Sequence, residues 1–458
     1  MFVIKDGVLQ EYKNDNSASI IIPDDVKIIA EGVFAGNKYL KRVIIPEGVI
    51  EIGNGAFYHC TSLSDIVLPS TLSIINEDAF AHCYKLRKID LPASLVSIGN
   101  NAFRACHNLE TLSIPARCDF GTGIIDACWS LRIVKLPSDI PFINADLFSE
   151  CSSLECIDID ADENSKYVSE NGVLYTADRL SIVRMPTALA QGDVVIPEGV
   201  IEIGEGAFAG CDELVSLHLP STIEDIGQDA FKDCSSLAKF DVDGGYLTTI
   251  DGLLLRGHKL LACPPNWNSK DNVLVVPDFV DELAPYAFAN CKNISRIVLP
   301  KHLMEIPQGM CARCSSLTDI NIPEQCDIIP IRAFLGCRSL MNIHIPNGIT
   351  RIEDSAFEGC SSLCNVDMPD DITHIGAFAF ADCTSMIMID LPASLTNLGG
   401  GAFAYSGLVS VAIPYSVQSI GKCAFACCPD LTTVSISPQL SSSPDSSWFW
   451  ECPNILLP

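Results

Sequence analysis

Cysteine, histidine and paired carboxylates are the side chains in this chain with the most chemistry to offer. Cys311-Ala-Arg-Cys314 has the CxxC spacing of a redox pair or of half a zinc site. Cys423, Cys427 and Cys428 crowd together further on, and His59 and His82 stand 23 positions apart, each beside a cysteine. Asp158-Ile-Asp160-Ala-Asp162 imitates the opening of a calcium loop, in which alternate carboxylates wrap one cation. Each signal is incomplete. No second CxxC accompanies the first, no histidine lies near the cysteine triplet in sequence, and two histidines do not close a tetrahedral site. The calcium pattern needs Gly and Glu at its sixth and twelfth positions, where this chain has Glu163 and Ser169. No GxSxG, P-loop, HExxH or dinucleotide fingerprint occurs. These residues therefore predict no catalytic group, no metal ligand set and no cofactor, and the protein is expected not to be an enzyme.

A repeat accounts for most of those cysteines. Residues 46–68, PEGVIEIGNGAFYHCTSLSDIVL, share their apolar skeleton with residues 69–91, and 69 − 46 gives a period of 23. A period of that size predicts a solenoid, because one coil cannot bury its own apolar face and must stack on its neighbours. Cys60, Cys83, Cys106, Cys128, Cys151, Cys211, Cys234, Cys291, Cys314, Cys337, Cys360, Cys383, Cys428 and Cys452 fall in one column, and Cys314 of the CxxC is one of them. Asn37 and Ser406 fill the same column, which a paired disulfide framework would not tolerate. These cysteines are expected to be buried reduced thiols acting as small hydrophobes.

Within a coil, Ile66 and Leu68 alternate with one variable residue, the period of a strand with one buried face. The proline that follows cannot donate to a ladder, so it ends the strand, and stacking aligns the strands in parallel. Val49 and Ile52 then point inward, Gly53 turns the chain, and Ala56, Phe57 and Cys60 fit one short helical turn before Leu63 closes the coil. The Phe57 position recurs at Phe34, Phe80, Phe103, Phe148, Phe208, Phe231, Phe288, Phe334, Phe357, Phe380, Phe403 and Phe425, which predicts a buried ladder. The coil reading GIIDAC loses the Ala-Phe pair, and Cys311 replaces Phe in another.

A chain of 458 residues at about 23 per coil makes about 20 coils. The hydrophobic fraction of 48% is high, yet no run approaches the roughly 18 apolar residues of a membrane helix, so no membrane insertion is expected. Asp and Glu number 57 against 29 Lys and Arg, and a net charge of −28 repels phosphate backbones, which excludes nucleic acid as the expected partner. The first residues lack a basic segment followed by an apolar run, which predicts a cytoplasmic protein if Met1 is the native start.

Three hairpin signals interrupt the periodicity. Asp6-Gly7, Asn171-Gly172 and Asp251-Gly252 supply the positive φ of tight turns between short apolar runs. The expected organisation is a hairpin cap at 1–19, coils at 20–155, a hairpin-containing modified coil at 156–193, coils at 194–240, a second modified segment at 241–273, coils at 274–437 and an irregular cap at 438–458. All are expected to stack as one continuous solenoid. Trp448, Phe449 and Trp450 sit near the last Ala-Phe column, where they would cover its open apolar edge.

The recurring [IV]-x-[IL]-P…I-G-x2-AF-x2-C-x2-L pattern resembles the BspA-type leucine-rich repeats over nearly the whole chain, and the DGVL and NGVLY hairpins look like segments that open or interrupt such arrays. The resemblance implies a leucine-rich repeat solenoid, α/β to mostly β, with a right-handed curved stack and a long parallel sheet. It also implies a binding protein, often at a bacterial surface, with an adhesion role. A protein partner is expected, a glycan is the alternative, and a self-assembling stack joined end to end is the second reading of function. The outward strand position between the two buried residues carries Asp90, Lys135, Asp158, His218, Asn321, His344, Asp367 and Asp390, the candidate binding residues.

Overall fold

The computed structural model describes residues 1–13, 16–436 and 446–455. The chain divides into two compact units, Met1–Leu214 with Thr222–Cys234, and Val215–Ser221 with Ser235–Pro458. Each is a stack of coils built mostly from short strands and turns. Helix is confined, among the described residues, to the single 3-10 turns Ala145–Phe148 and Ser446–Phe449. No described helix is long and apolar enough to cross a membrane.

In the first unit most coils contribute to two parallel ladders. One is formed by the strands that precede the prolines, such as Ser19–Ile21, Arg42–Ile44 and Asp65–Val67, in a register that sets Val43 beside Ile66. The other consists of two-residue strands, Ile28–Ile29, Glu51–Ile52, Ile74–Ile75 and Ser97–Ile98, aligned coil by coil. The parallel sheet expected from the sequence is thus a set of short sheets on two sides of each coil. In the second unit the same ladders recur, for example Val273–Val275 with Arg296–Val298, and Ile328–Ile329 with Arg351–Ile352.

The third side differs from the expected helical turn. Ala56-Phe57 lies between Gly55 and His59, both at positive φ (54° and 57°), and the pattern repeats at Asp78 and His82. Two left-handed residues per coil break an α-helix into consecutive tight turns. Tyr58 N–H bonds to Gly55 O at 2.9 Å and Cys60 N–H to Phe57 O at 3.1 Å. The remaining N–H groups, those of Gly55, Phe57 and His59, donate to Glu77, Ala79 and Ala81 of the next coil at 2.8, 2.8 and 2.9 Å. The turns therefore satisfy their own backbone and join the coils together. Gly53 serves close approach here, because a Cβ at that position would lie 2.8 Å from main-chain atoms of the preceding coil.

The core is a set of columns. Phe34, Phe57, Phe80 and Phe103 stack with centroids 4.9, 5.2 and 5.6 Å apart and planes within 8°. Phe334, Phe357, Phe380, Phe403 and Phe425 do the same in the second unit at 5.1 to 5.5 Å. Phe449 continues that column, 5.7 Å from Phe425. Trp448 is buried with it, whereas Trp450 is 56% exposed and turns away from the core, unlike the covering role expected for it. Most of the serine-rich run before Trp448 lies outside the described residues.

The column cysteines are all free thiols and do more than fill space. Cys60 donates its Sγ–H to the Phe34 carbonyl of the preceding coil at 3.1 Å, Cys83 to Phe57 at 3.3 Å, Cys314 to Phe288 at 2.9 Å and Cys360 to Phe334 at 3.1 Å. Asn37, in the first full coil, instead accepts from the N–H groups of Tyr39 and Leu40. Ser406 is buried and pairs with the Cys428 thiol at 3.3 Å.

All three hairpins form. Phe2–Lys5 pairs antiparallel with Val8–Tyr12, which continues in parallel onto Ile28–Ile29. Tyr167–Glu170, Val173–Thr176 and Ser181–Arg184 make a meander whose last strand pairs in parallel with Glu202–Ile203. Thr248–Ile250, Leu253–Arg256 and Lys259–Ala262 repeat that arrangement onto Glu282–Leu283. Each modified segment thus keeps a ladder strand and gives up the turn that carries Ala-Phe.

Candidate binding surface

Alternation along the proline-terminated strands sends every second side chain outward, where it meets the residue at the same register in the next coil. In the first unit Lys135 and Asp158, in the paired strands Ile133–Leu136 and Cys156–Ile159, meet at 3.1 Å. The hydrogen bond and charge of Asp158 push the Lys135 ammonium pKa up. Asp90 lies just beyond an isolated bridge at Lys88 and is held by that lysine at 2.9 Å. In the second unit His344 Nδ1 and Asp367 Oδ2 lie 2.6 Å apart across paired strands. His218 bonds to Asp243 at 2.9 Å. Asn321 accepts from Leu299 N–H at 2.7 Å and donates back to its carbonyl at 2.9 Å, continuing the ladder with an amide. Asp390 is exposed and lies in no strand.

The structure therefore pairs two sets of the candidates with each other, Lys135 with Asp158 and His344 with Asp367. A neighbouring column escaped notice at the sequence level. Arg87, Glu110, Arg132 and Glu155 alternate in sign from coil to coil; Arg87 pairs with Glu110, and Arg132 grips Glu155 with two bonds of 2.7 and 2.8 Å. The signal was present as opposite charges 22 or 23 positions apart. In the second unit the matching column carries Met341, Cys364, Ile387 and Val409, all exposed, between the polar Thr318 and Thr432.

The residues with metal or redox spacing do not converge. Cys311 and Cys314 are fully buried, and burial pushes the Cys311 thiol pKa far up, so Cys311 offers no thiolate. Cys428 donates to the Phe403 carbonyl, while Cys427 faces the Glu451 carboxylate at 3.5 Å. Asp158 is engaged by Lys135, and Asp162 accepts from Asn164 N–H and the Ser165 hydroxyl. Among the described residues no group of three or more His, Cys, Asp or Glu is placed to hold a metal ion.

The histidine pair is part of something larger. His59 and His82 stack 4.8 Å apart with planes 16° from parallel. The adjacent column carries the row beyond these two histidines: Tyr84 meets both imidazoles edge-on and stacks on His107 at 4.6 Å, and His107 stacks on Trp129 at 3.8 Å. Tyr58 packs edge-on against His59 and His82. Burial pushes the His82 and His107 pKa values down, and at His82 the neighbouring His59 and Arg104 push in the same direction.

A family model described as the BspA type leucine rich repeat region, in six copies, matches residues 9–124, 120–193, 187–258, 268–340 and 327–456. No curated protein matches the chain. The chain is similar to the crystal structure of a leucine rich cell surface protein from Faecalibacterium prausnitzii A2-165, with 26% identity over 84% of this chain and 91% of that one and a TM-score of 0.41. It is also similar to leucine-rich repeat proteins from Bacteroides ovatus ATCC 8483 (24% identity, 85% and 90% covered, TM-score 0.37) and Eubacterium ventriosum ATCC 27560 (17%, 90% and 89%, TM-score 0.40).

Proposed function

The chain belongs to the BspA-type leucine-rich repeat family, and from that premise we propose that it is a non-catalytic binding scaffold that recognises a protein partner, in an adhesive role, through its exposed strand columns. One observation carries the reading. The inward columns hold nearly constant chemistry, Phe on Phe and Cys on carbonyl, while the outward column changes from coil to coil through Asp90, Lys135 and Asp158 in one unit and Asn321, His344 and Asp367 in the other. A fixed frame that presents variable polar side chains at regular spacing is how repeat proteins build extended recognition surfaces. The Lys135–Asp158 and His344–Asp367 contacts hold those side chains in place before a partner arrives, which lowers the ordering cost of binding.

The test uses the intact chain immobilised as bait for extracellular and cell-envelope protein fractions, with captured species mapped by cross-linking. A variant carrying Lys135→Ala, His344→Ala and Asp367→Ala should lose the captured protein while melting as the parent does. Capture of nothing by the parent, or equal capture by parent and variant, would remove the strand columns as the recognition surface.

A further inference from the structure

We propose, building on the reading of this chain as a binding scaffold, that the aromatic row on the turn side of the first unit is a separate site for a neutral saccharide, seated on the indole of Trp129. Tyr58, His59, His82, Tyr84, His107 and Trp129 come from four successive coils and form one connected set of ring contacts. These rings are not core: Tyr58 is 39% and Trp129 48% exposed, whereas Trp267 and Trp448 are buried. Isolated exposed aromatics need no explanation, but a contiguous row with exposed rings at Tyr58 and Trp129 and half-buried ones between them does.

His107 lies against one face of the Trp129 indole, 3.8 Å between centroids and 5° from parallel, and fixes its orientation. The column continues to Ser152, which has no ring to cover the other side. A preset, half-exposed indole is the element that sugar recognition uses: pyranose C–H bonds carry partial positive charge and are drawn to the negative face of the ring. The rest of the row supplies Tyr hydroxyls, imidazole nitrogens and the indole N–H, a mixture of donors and acceptors suited to sugar hydroxyls.

Charge selects the ligand class. None of the six residues is a carboxylate or a permanent cation, and burial favours the neutral form of His82 and His107. Beside the row Arg104 and Asp126 pair at 3.2 Å, and the carboxylates of Asp78 and Glu150 act on His82 and His107 from outside it. An anionic ligand is repelled by the net charge of −28, and a cationic one finds no carboxylate within the row. A neutral, hydroxyl-rich ligand with apolar C–H faces remains.

The experiment titrates the full chain with neutral oligosaccharides of glucose, galactose, xylose and N-acetylglucosamine, and with a heparin oligosaccharide as the anionic control, by calorimetry and tryptophan fluorescence. At least one neutral oligosaccharide should bind at millimolar concentration or below and the heparin fragment should not. Trp129→Ala should weaken binding by roughly ten-fold or more, and Trp129→Phe by less. The half-exposed position makes both variants compatible with folding, which their melting curves verify. His344→Ala should leave the sugar affinity unchanged, so failure of the strand-column reading and failure of this one are told apart. Absence of binding by every neutral oligosaccharide, binding that Trp129→Ala leaves intact, or a polypeptide cross-linked to the row in place of sugar would each overturn the proposal.

Discussion

The Ala209 carbonyl oxygen accepts a 2.7 Å hydrogen bond from the Arg184 guanidinium. In a regular coil the equivalent acceptor, Tyr58 O, receives a main-chain N–H from Gly36 at 2.7 Å. The first modified coil has no Ala-Phe turn, so that N–H does not exist; Met185 N–H still reaches Ala207 O at 2.8 Å, and Arg184 supplies the missing donor. The side chain is 3% exposed and also serves Gly206 O at 2.7 Å and Phe148 O at 3.4 Å. A buried cation without a carboxylate partner is thereby tolerated, because main-chain oxygens replace the water of its two terminal nitrogens, although its Nε has no hydrogen-bond partner.

Removing that donor should be costly. Arg184→Met leaves the buried Gly206 carbonyl and the half-buried Ala209 carbonyl without their donor and is expected to lower stability by about 2 to 5 kcal/mol. Arg184→Lys should fall between, since one ammonium does not reproduce the planar fork. Urea melts monitored by circular dichroism check both, and a parent-like midpoint for the Met variant would show that other donors serve those oxygens.

The phenylalanine columns predict a large cost of truncation that grows with the stacking lost. Phe208→Ala and Phe357→Ala, both fully buried, should each cost about 3 to 5 kcal/mol. Phe357 stacks on both sides, at 5.1 and 5.2 Å, whereas Phe208 contacts Phe231 at 6.0 Å with a 40° tilt. The Phe357 variant should therefore lie at the upper end. Denaturation midpoints of the two variants against the parent provide the measurement.

Burial pushes the thiols of Cys60, Cys151, Cys211 and Cys360 up to about 12 from 9.0. The unfolded chain releases these protons first as pH rises, so the stabilisation is complete below pH 9 and is lost between 9 and about 12. Melting temperature should fall across that window, and Cys211→Ala should flatten the fall. At pH 8 a thiol reagent should modify the exposed Cys364 before any column cysteine, as mass spectrometry of the labelled chain would reveal.

On the acid side the sign is reversed for the aromatic row. His82 and His107 have folded pKa values pushed below 6.5, so the unfolded chain takes up protons first as pH drops. Their contribution is complete above 6.5 and declines as pH falls through the folded values. Amide protection factors, which correct for the slower intrinsic exchange in acid, should fall below pH 6.5 in the coils that carry them, and His82→Gln should reduce the fall.

The outward pairs should matter little for folding. His344 and Asp367 are 74% and 75% exposed at their side chains, and exposed pairs contribute about 0 to 1 kcal/mol. His344→Ala and Lys135→Ala should therefore melt within a few degrees of the parent, which makes them clean reporters of binding. A large loss of stability in either would mean that these columns hold the frame.

How much of this was legible follows from what repetition encodes. A 23-residue period with apolar residues at fixed offsets states that coils stack, which residues face inward and where strands end, because burial acts on each position independently of the rest. The hairpins were legible for the same local reason, since Asp6-Gly7 and Asn171-Gly172 carry their turn conformation with them. Contacts that depend on which columns adjoin around a coil were not. His59 and Asp78 in left-handed geometry, the thiol-to-carbonyl bonds of the cysteine column, the pairing of Lys135 with Asp158, and the continuation of the histidine row through Tyr84 into Trp129 all required the turn path in three dimensions. Arg184 was hidden most deeply: its sequence context is an ordinary strand, and only a neighbouring coil with orphaned carbonyls gives it a role. Sequence by itself determined the period and the inside of the coil; tertiary structure decided the neighbours, because hydrogen bonds and ring stacking depend on distances that spacing along the chain does not contain.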